Sequence, residues 1–370
     1  MHIAMRGPTI MLLALAPAAI LLGHGCAELK PGEALAPAAD GAADAATEDD
    51  AGRELGVGMT ASDAAMDAGA TDALAGATAC PTISTGASIF VLDSTQTLFA
   101  FDERGNSQGS VTVPSTVNGL NGGGMALASG HVYVTTGQPN NGVIAYNPAL
   151  SPSTLPDGSF PSLSVPRGIA YDCRDSQFYI ANGAAAVSVF LATGSPVAVD
   201  DGGFSPDYGP SGAAYDPDDE AIWITNYPGY PTTAFGVSEF SETGETRQDF
   251  DRSKQFVAPG VHQDSYSITV CSKAATGSAT LVVVGFIDDG SGFGTGAVQA
   301  YSTDGIPRGG PLAGPFLKPY ALSCDSHGRV YVADSTGLYA VDLSGGGRDA
   351  GLPGPFAGLT PPIYGVLAGD

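Results

Sequence analysis

The chain has 370 residues, with 38 acidic against 14 basic side chains and a formal net charge of −24. No basic stripe exists to displace counterions, which excludes nucleic acid as a partner and adhesion of the folded part to an anionic membrane. All 30 aromatic residues lie at or after Phe90, so the first 79 positions supply no packed core.

Residues 1–25 carry the pattern of an export signal: Arg6, an apolar run from Thr9 to Leu22, then Gly23-His24-Gly25. The run is too short and too poorly flanked for a membrane span. The next residue, Cys26, resembles the acylated cysteine of bacterial lipoproteins, although that family prefers a Leu-like residue where this chain has Gly23. Setting Cys26 aside leaves four of five cysteines, an even number suited to an oxidising compartment. The expectation is an exported protein, held at the outer membrane or cell envelope by a lipid on Cys26. With cleavage after Ala36-Pro37-Ala38 instead, it is secreted. Residues 26–79 read as a disordered acidic Ala/Gly-rich tether, whose last 53 positions carry eleven acidic and two basic residues. As a coil it spans roughly 40 Å.

From residue 80 to 370 the chain repeats one strand-turn-strand unit six times. The first strands of the units read IFVLD (89–93), VYVTT (132–136), FYIAN (178–182), IWITN (222–226), VVVGF (282–286) and VYVAD (330–334). Small-residue strands precede five of them: GMALA (124–128), GIAYD (168–172), GAAYD (212–216), SITVC (267–271) and ALSCD (321–325). Small side chains suit strands that converge on an axis, and polar fourth segments such as 109–113 and 195–199 suit outer edges. The first unit lacks its small-residue strand, and YGVLAGD at 364–370 is left unpartnered at the other end. The pattern predicts an all-β, six-bladed β-propeller whose C-terminal strand completes the first blade.

Residues 166–194 and 318–346, with Pro-Arg-Gly-Ile-Ala-Tyr-Asp and Val-Tyr-Val-Ala-Asp, resemble NHL-type propeller repeats. That resemblance covers most of residues 88–370 and implies an architecture more than a function. The wider group includes peptide, protein and carbohydrate binders, calcium-dependent lactonases of the gluconolactonase type, and lyases.

Candidate sites gather on the face that carries the turns entering the inner strands. Three long turns lie there, at 137–142, 227–236 and 287–296, and the second offers Tyr227, Tyr230 and Phe235 as ligand-binding aromatics. Arg167 and Lys318 each precede an inner strand and are candidate ligand-binding cations. His262, with Asp264 nearby, is the one catalytic candidate, as a base. Asp93, Asn182, Asn226 and Asp334 end the second strands of their blades. Such oxygens either ligate calcium or cap their own turns, and both readings stand. A gluconolactonase-type metal site would also require a Glu, which the pattern lacks. Cys80, Cys173, Cys271 and Cys324 are disulfide candidates, with three pairings open. The sequence therefore favours a monomeric, non-catalytic binding or scaffolding module for a protein, peptide or glycan. Any membrane contact would come only through the lipid. The other reading is a calcium-dependent hydrolase, lactonase-like, or a lyase.

Overall fold

A computed structural model describes residues 89–369, apart from 115–121, 138–140, 154–159, 184–185, 200–203, 205–208, 227–235, 251–262, 278, 289–295, 313–315, 344–355 and 357. The chain divides into Met1–Ala70 and Thr71–Asp370, and the described residues all belong to the second unit. They form six antiparallel sheets, the blades of a β-propeller.

Blade 1 pairs β21 (Ile363–Ala368) with β1 (Ile89–Asp93), β2 (Thr97–Phe101) and β3 (Ser107–Thr112). Blade 2 is β4 (Gly122–Ala128), β5 (His131–Thr136), β6 (Gly142–Tyr146) and β7 (Pro152–Ser153). Blade 3 is β8 (Pro166–Asp172), β9 (Gln177–Asn182) and β10 (Ala186–Leu191). Blade 4 is β11 (Pro210–Asp216), β12 (Ala221–Asn226), β13 (Gly236–Ser241) and β14 (Thr246–Phe250). Blade 5 is β15 (Gln263–Cys271), β16 (Leu281–Asp288) and β17 (Gly296–Ser302). Blade 6 is β18 (Ala321–Cys324), β19 (Arg329–Ala333) and β20 (Leu338–Asp342).

The closure expected from YGVLAGD is present: Phe90 faces Leu367 and Val91 faces Val366 across the β1–β21 ladder. The ring is thus shut by strands from opposite ends of the chain, and β1 is laddered on both of its edges. The fourth segment at 195–199 is less regular than its β-rich sequence suggests. It touches β10 through a single bridge, Phe190 to Pro196, because proline has no N–H to donate to a ladder.

Burial runs nearly unbroken through the second strands because both faces of each blade are covered. All five residues of β1 are buried, whereas β3 at the rim is mostly exposed. Period-two geometry then splits β1 between two neighbours. Phe90 and Leu92 pack with Met125, Val132 and Tyr146 of blade 2, while Ile89 and Val91 pack with Tyr331 and Ala340 of blade 6. Among the described residues six apolar clusters arise this way, one in each seam between blades.

Near the axis the inner strands approach closely, and glycine is what permits it. A Cβ on Gly168 would lie 2.5 Å from the amide nitrogen of Ala213 in the next blade. Hydroxyls buried in the same layer satisfy backbone groups that no sheet reaches. Thr135 Oγ1 donates to the Arg167 carbonyl at 2.6 Å, Thr225 Oγ1 to that of Tyr266 at 3.0 Å, and Ser267 Oγ to that of Pro319 at 2.8 Å. A disulfide joins Cys271 at the end of β15 to Cys324 at the end of β18, and Cys173 is disulfide-bonded as well. Cys26 and Cys80 lie outside the described residues.

Candidate functional site

The inner strands enclose an axial channel that is pinched in the middle. Met125, Ile169, Ala213, Ile268, Leu322 and Val366, one from each blade, line both halves of it and form an apolar waist. On one side the first residues of the inner strands line a narrow recess of about 60 Å³. On the other side their last residues line a wider one of about 380 Å³.

The narrow recess is lined by one cationic and three phenolic side chains. One residue column supplies them, the position just before the small residue that starts each inner strand. That column reads Gly123, Arg167, Ser211, Tyr266, Tyr320 and Tyr364 around the ring. The three tyrosines come from consecutive blades 5, 6 and 1 and meet edge to face, with ring centroids 6.1 Å apart for Tyr266–Tyr320 and 5.5 Å for Tyr320–Tyr364. Burial, then the neighbouring Tyr364 and Asp334, raises the pKa of Tyr320, and burial raises that of Tyr364. Both phenols stay protonated and able to donate. Across the recess stands Arg167, whose guanidinium packs on Gly183 in the turn after β9. A Cβ there would come within 2.8 Å of Arg167 Nε.

Of the residues singled out in the sequence, Arg167 lines this recess, while Lys318 is half-buried and outside its lining. Tyr227, Tyr230, Phe235 and His262 lie outside the described residues, and Asp264 is described only as part of the β15 backbone. The tyrosine column is a repeat position that the sequence reading missed. Spread over three blades, it looks there like ordinary strand aromatics.

Of the four strand-ending side chains, Asp93, Asn182 and Asp334 accept hydrogen bonds from neighbouring turns and connecting segments, whereas Asn226 Oδ1 is buried without a partner among the described residues. Asp93 Oδ1 accepts from the Thr95 N–H at 2.9 Å and the Thr95 hydroxyl at 2.7 Å, and Oδ2 accepts from the Thr360 N–H at 3.0 Å. Asp334 repeats the device in blade 6. Its Oδ1 accepts from the N–H groups of Thr336 and Gly337, and its Oδ2 from that of Leu317. Each carboxylate therefore ties the turn after its strand to the segment leading into an inner strand. Asn182 Oδ1 accepts from the Ser164 N–H at 3.3 Å, and Asn226 Nδ2 donates to Ser238 Oγ at 3.1 Å.

The opposite face has its own turn-capping carboxylates, and one of them titrates unusually. Asp216, fully buried at the end of β11, accepts from the Asp218 and Asp219 N–H groups through Oδ1 alone. Burial pushes its pKa up to about 6, with those two hydrogen bonds opposing. Because the folded value lies above the ordinary 3.8, the group favours folding fully below about pH 3.8, and this contribution is lost as pH rises through about 6. Asp216→Asn is expected to raise stability at pH 7.5 by about 1–3 kcal/mol and to flatten its fall between pH 4 and 6. Chemical denaturation across that range checks both.

No protein-family pattern and no curated protein matches this sequence. Solved structures do. A chain of the nidogen/laminin complex superposes with a TM-score of 0.55 at 14% identity, covering 77% of this chain and 99% of that one. The shared feature is the propeller fold. A gluconolactonase from Xanthomonas campestris gives a TM-score of 0.46 at 15% identity, covering 73% and 83% of the two chains. The virginiamycin B lyase from Staphylococcus aureus gives 0.44 at 14%, covering 69% and 80%.

Proposed function

We propose that this is a binding propeller, exported and tethered through Cys26. Its ligand is a protein, peptide or glycan, and an acidic group of that ligand enters the Arg167–tyrosine recess. The blades are read as NHL-type repeats on the strength of residues 166–194 and 318–346. The observation that carries the functional reading is the column itself: Arg167 and, from the blades across the ring, Tyr266, Tyr320 and Tyr364 line a recess that admits one small polar group, and a guanidinium and phenols are donors. A carboxylate of an acidic sugar or side chain matches that donor set. Asp93 and Asp334 spend their oxygens on backbone N–H groups, which weighs against a catalytic metal at this end of the channel.

The test is binding of the purified protein to arrayed acidic and neutral peptides and glycans, followed by titration of the strongest ligand. Arg167→Ala is expected to weaken binding at least tenfold, in line with about 1.5–3 kcal/mol for a hydrogen bond to a charged group, at unchanged melting temperature. Equal binding of acidic ligands by wild type and Arg167→Ala would count against this reading.

A further inference from the structure

On the face opposite the tyrosine recess, three carboxylates meet across the seam between blades 3 and 4. Asp172 ends β8, Asp175 lies in the following turn, and Glu242 follows β13. One oxygen from each lies within 4.8 Å of the other two. Asp172 is fully buried, Glu242 half-buried and Asp175 exposed. The Arg174 N–H holds Asp172 Oδ1 at 2.8 Å, but Oδ2, equally buried, accepts no hydrogen bond. A buried carboxylate oxygen in that condition is costly unless something positive meets it.

Among the described residues, the groups hydrogen-bonded to this cluster are oxygens and backbone N–H groups. Tyr215 has one hydroxyl proton and gives it to Glu242 Oε1 at 3.1 Å, although Asp172 lies against the same phenol. Tyr179 donates to the Glu242 carbonyl at 3.4 Å. Arg174, the nearest basic residue in the chain, turns away across the seam to pair with Glu220 and donate to the Pro217 carbonyl. Among the described residues no ion pair reaches Asp172, Asp175 or Glu242. Burial first, then Asp172, raises the pKa of Glu242, as expected for like charges held together.

We infer that Asp172, Asp175 and Glu242 bind a divalent cation, calcium by the all-oxygen donor set, and that the ion locks blade 3 to blade 4. Calcium takes six to eight oxygens, and the exposed side at Asp175 leaves room for water to complete the shell. This inference is independent of the recess on the other face.

Thermal unfolding of the purified protein in chelator and in excess calcium tests it, together with terbium luminescence excited through Tyr179 and Tyr215. At about a hundred times the dissociation constant, calcium is expected to raise the melting temperature of wild type by roughly 5 °C. It should also quench the terbium signal by displacement. Asp175→Asn, at an exposed position, and Glu242→Gln should fold, lose both responses, and melt in chelator no lower than wild type, since each relieves repulsion. Absence of both responses in wild type overturns the inference. So does their persistence in both variants, which would mark diffuse binding by an acidic chain.

Discussion

Removing residues 364–370 is expected to abolish cooperative folding. The deletion takes away nearly all of β21 and, with it, the partners of Ile89, Phe90, Val91 and Leu92. Val366 is lost from the seam with blade 6, and Tyr364 and Leu367 from the seam with blade 2. The Ala368 N–H, which donates to Ser323 Oγ at 2.8 Å, no longer joins blade 1 to blade 6. Each large apolar side chain buried is worth about 1.5–3 kcal/mol, and β1 would be uncovered as well, so the sum consumes most of a typical 5–15 kcal/mol. The truncated chain should aggregate or elute expanded on size exclusion, with no sharp thermal transition. Deletion of residues 27–79, by contrast, should leave the melting temperature within about 1 °C, since that segment has no aromatic residue with which to build a core. A monomeric truncation melting near wild type would refute this account of ring closure.

Asp334→Ala is the second large effect. The side chain is fully buried and accepts from the N–H groups of Thr336, Gly337 and Leu317 and from the Thr336 hydroxyl. Truncation orphans these donors, so a loss of about 3–5 kcal/mol is expected. For a domain of this size that amounts to a fall in melting temperature on the order of 10 °C. Asp334→Asn keeps one acceptor and should lose about half as much. If the carboxylate only fixes turns, the loss is the same in calcium and in chelator. A loss seen in calcium alone would restore a metal to this end of the channel.

The architecture was legible because its physics repeats. Period-two burial fixes the second strands, and the crowding that puts Gly168 against Ala213 demands the small residues that mark the inner ones. The outer edges were less legible, since Pro196 and Pro307 break ladders that the flanking β-formers suggest. Arg167 could be picked out because a charge just before an inner strand is conspicuous. Tyr266, Tyr320 and Tyr364 could not, because strand tyrosines are common and only their shared position reveals a ring. Asp172 and Glu242 belong to different blades, and their meeting depends on how one turn overhangs the next seam. No local spacing encodes that.

The placement of β1 has a mechanical consequence. This strand sits second in its blade, laddered to β21 on one edge and to β2 on the other. Tension arriving through the chain that precedes Ile89 pulls along the strand and loads both ladders in shear at once. They must slip together instead of parting bond by bond, so rupture under load follows a high unfolding barrier and not the equilibrium stability. A pull on this end of the domain is therefore met by a strand held along both of its edges.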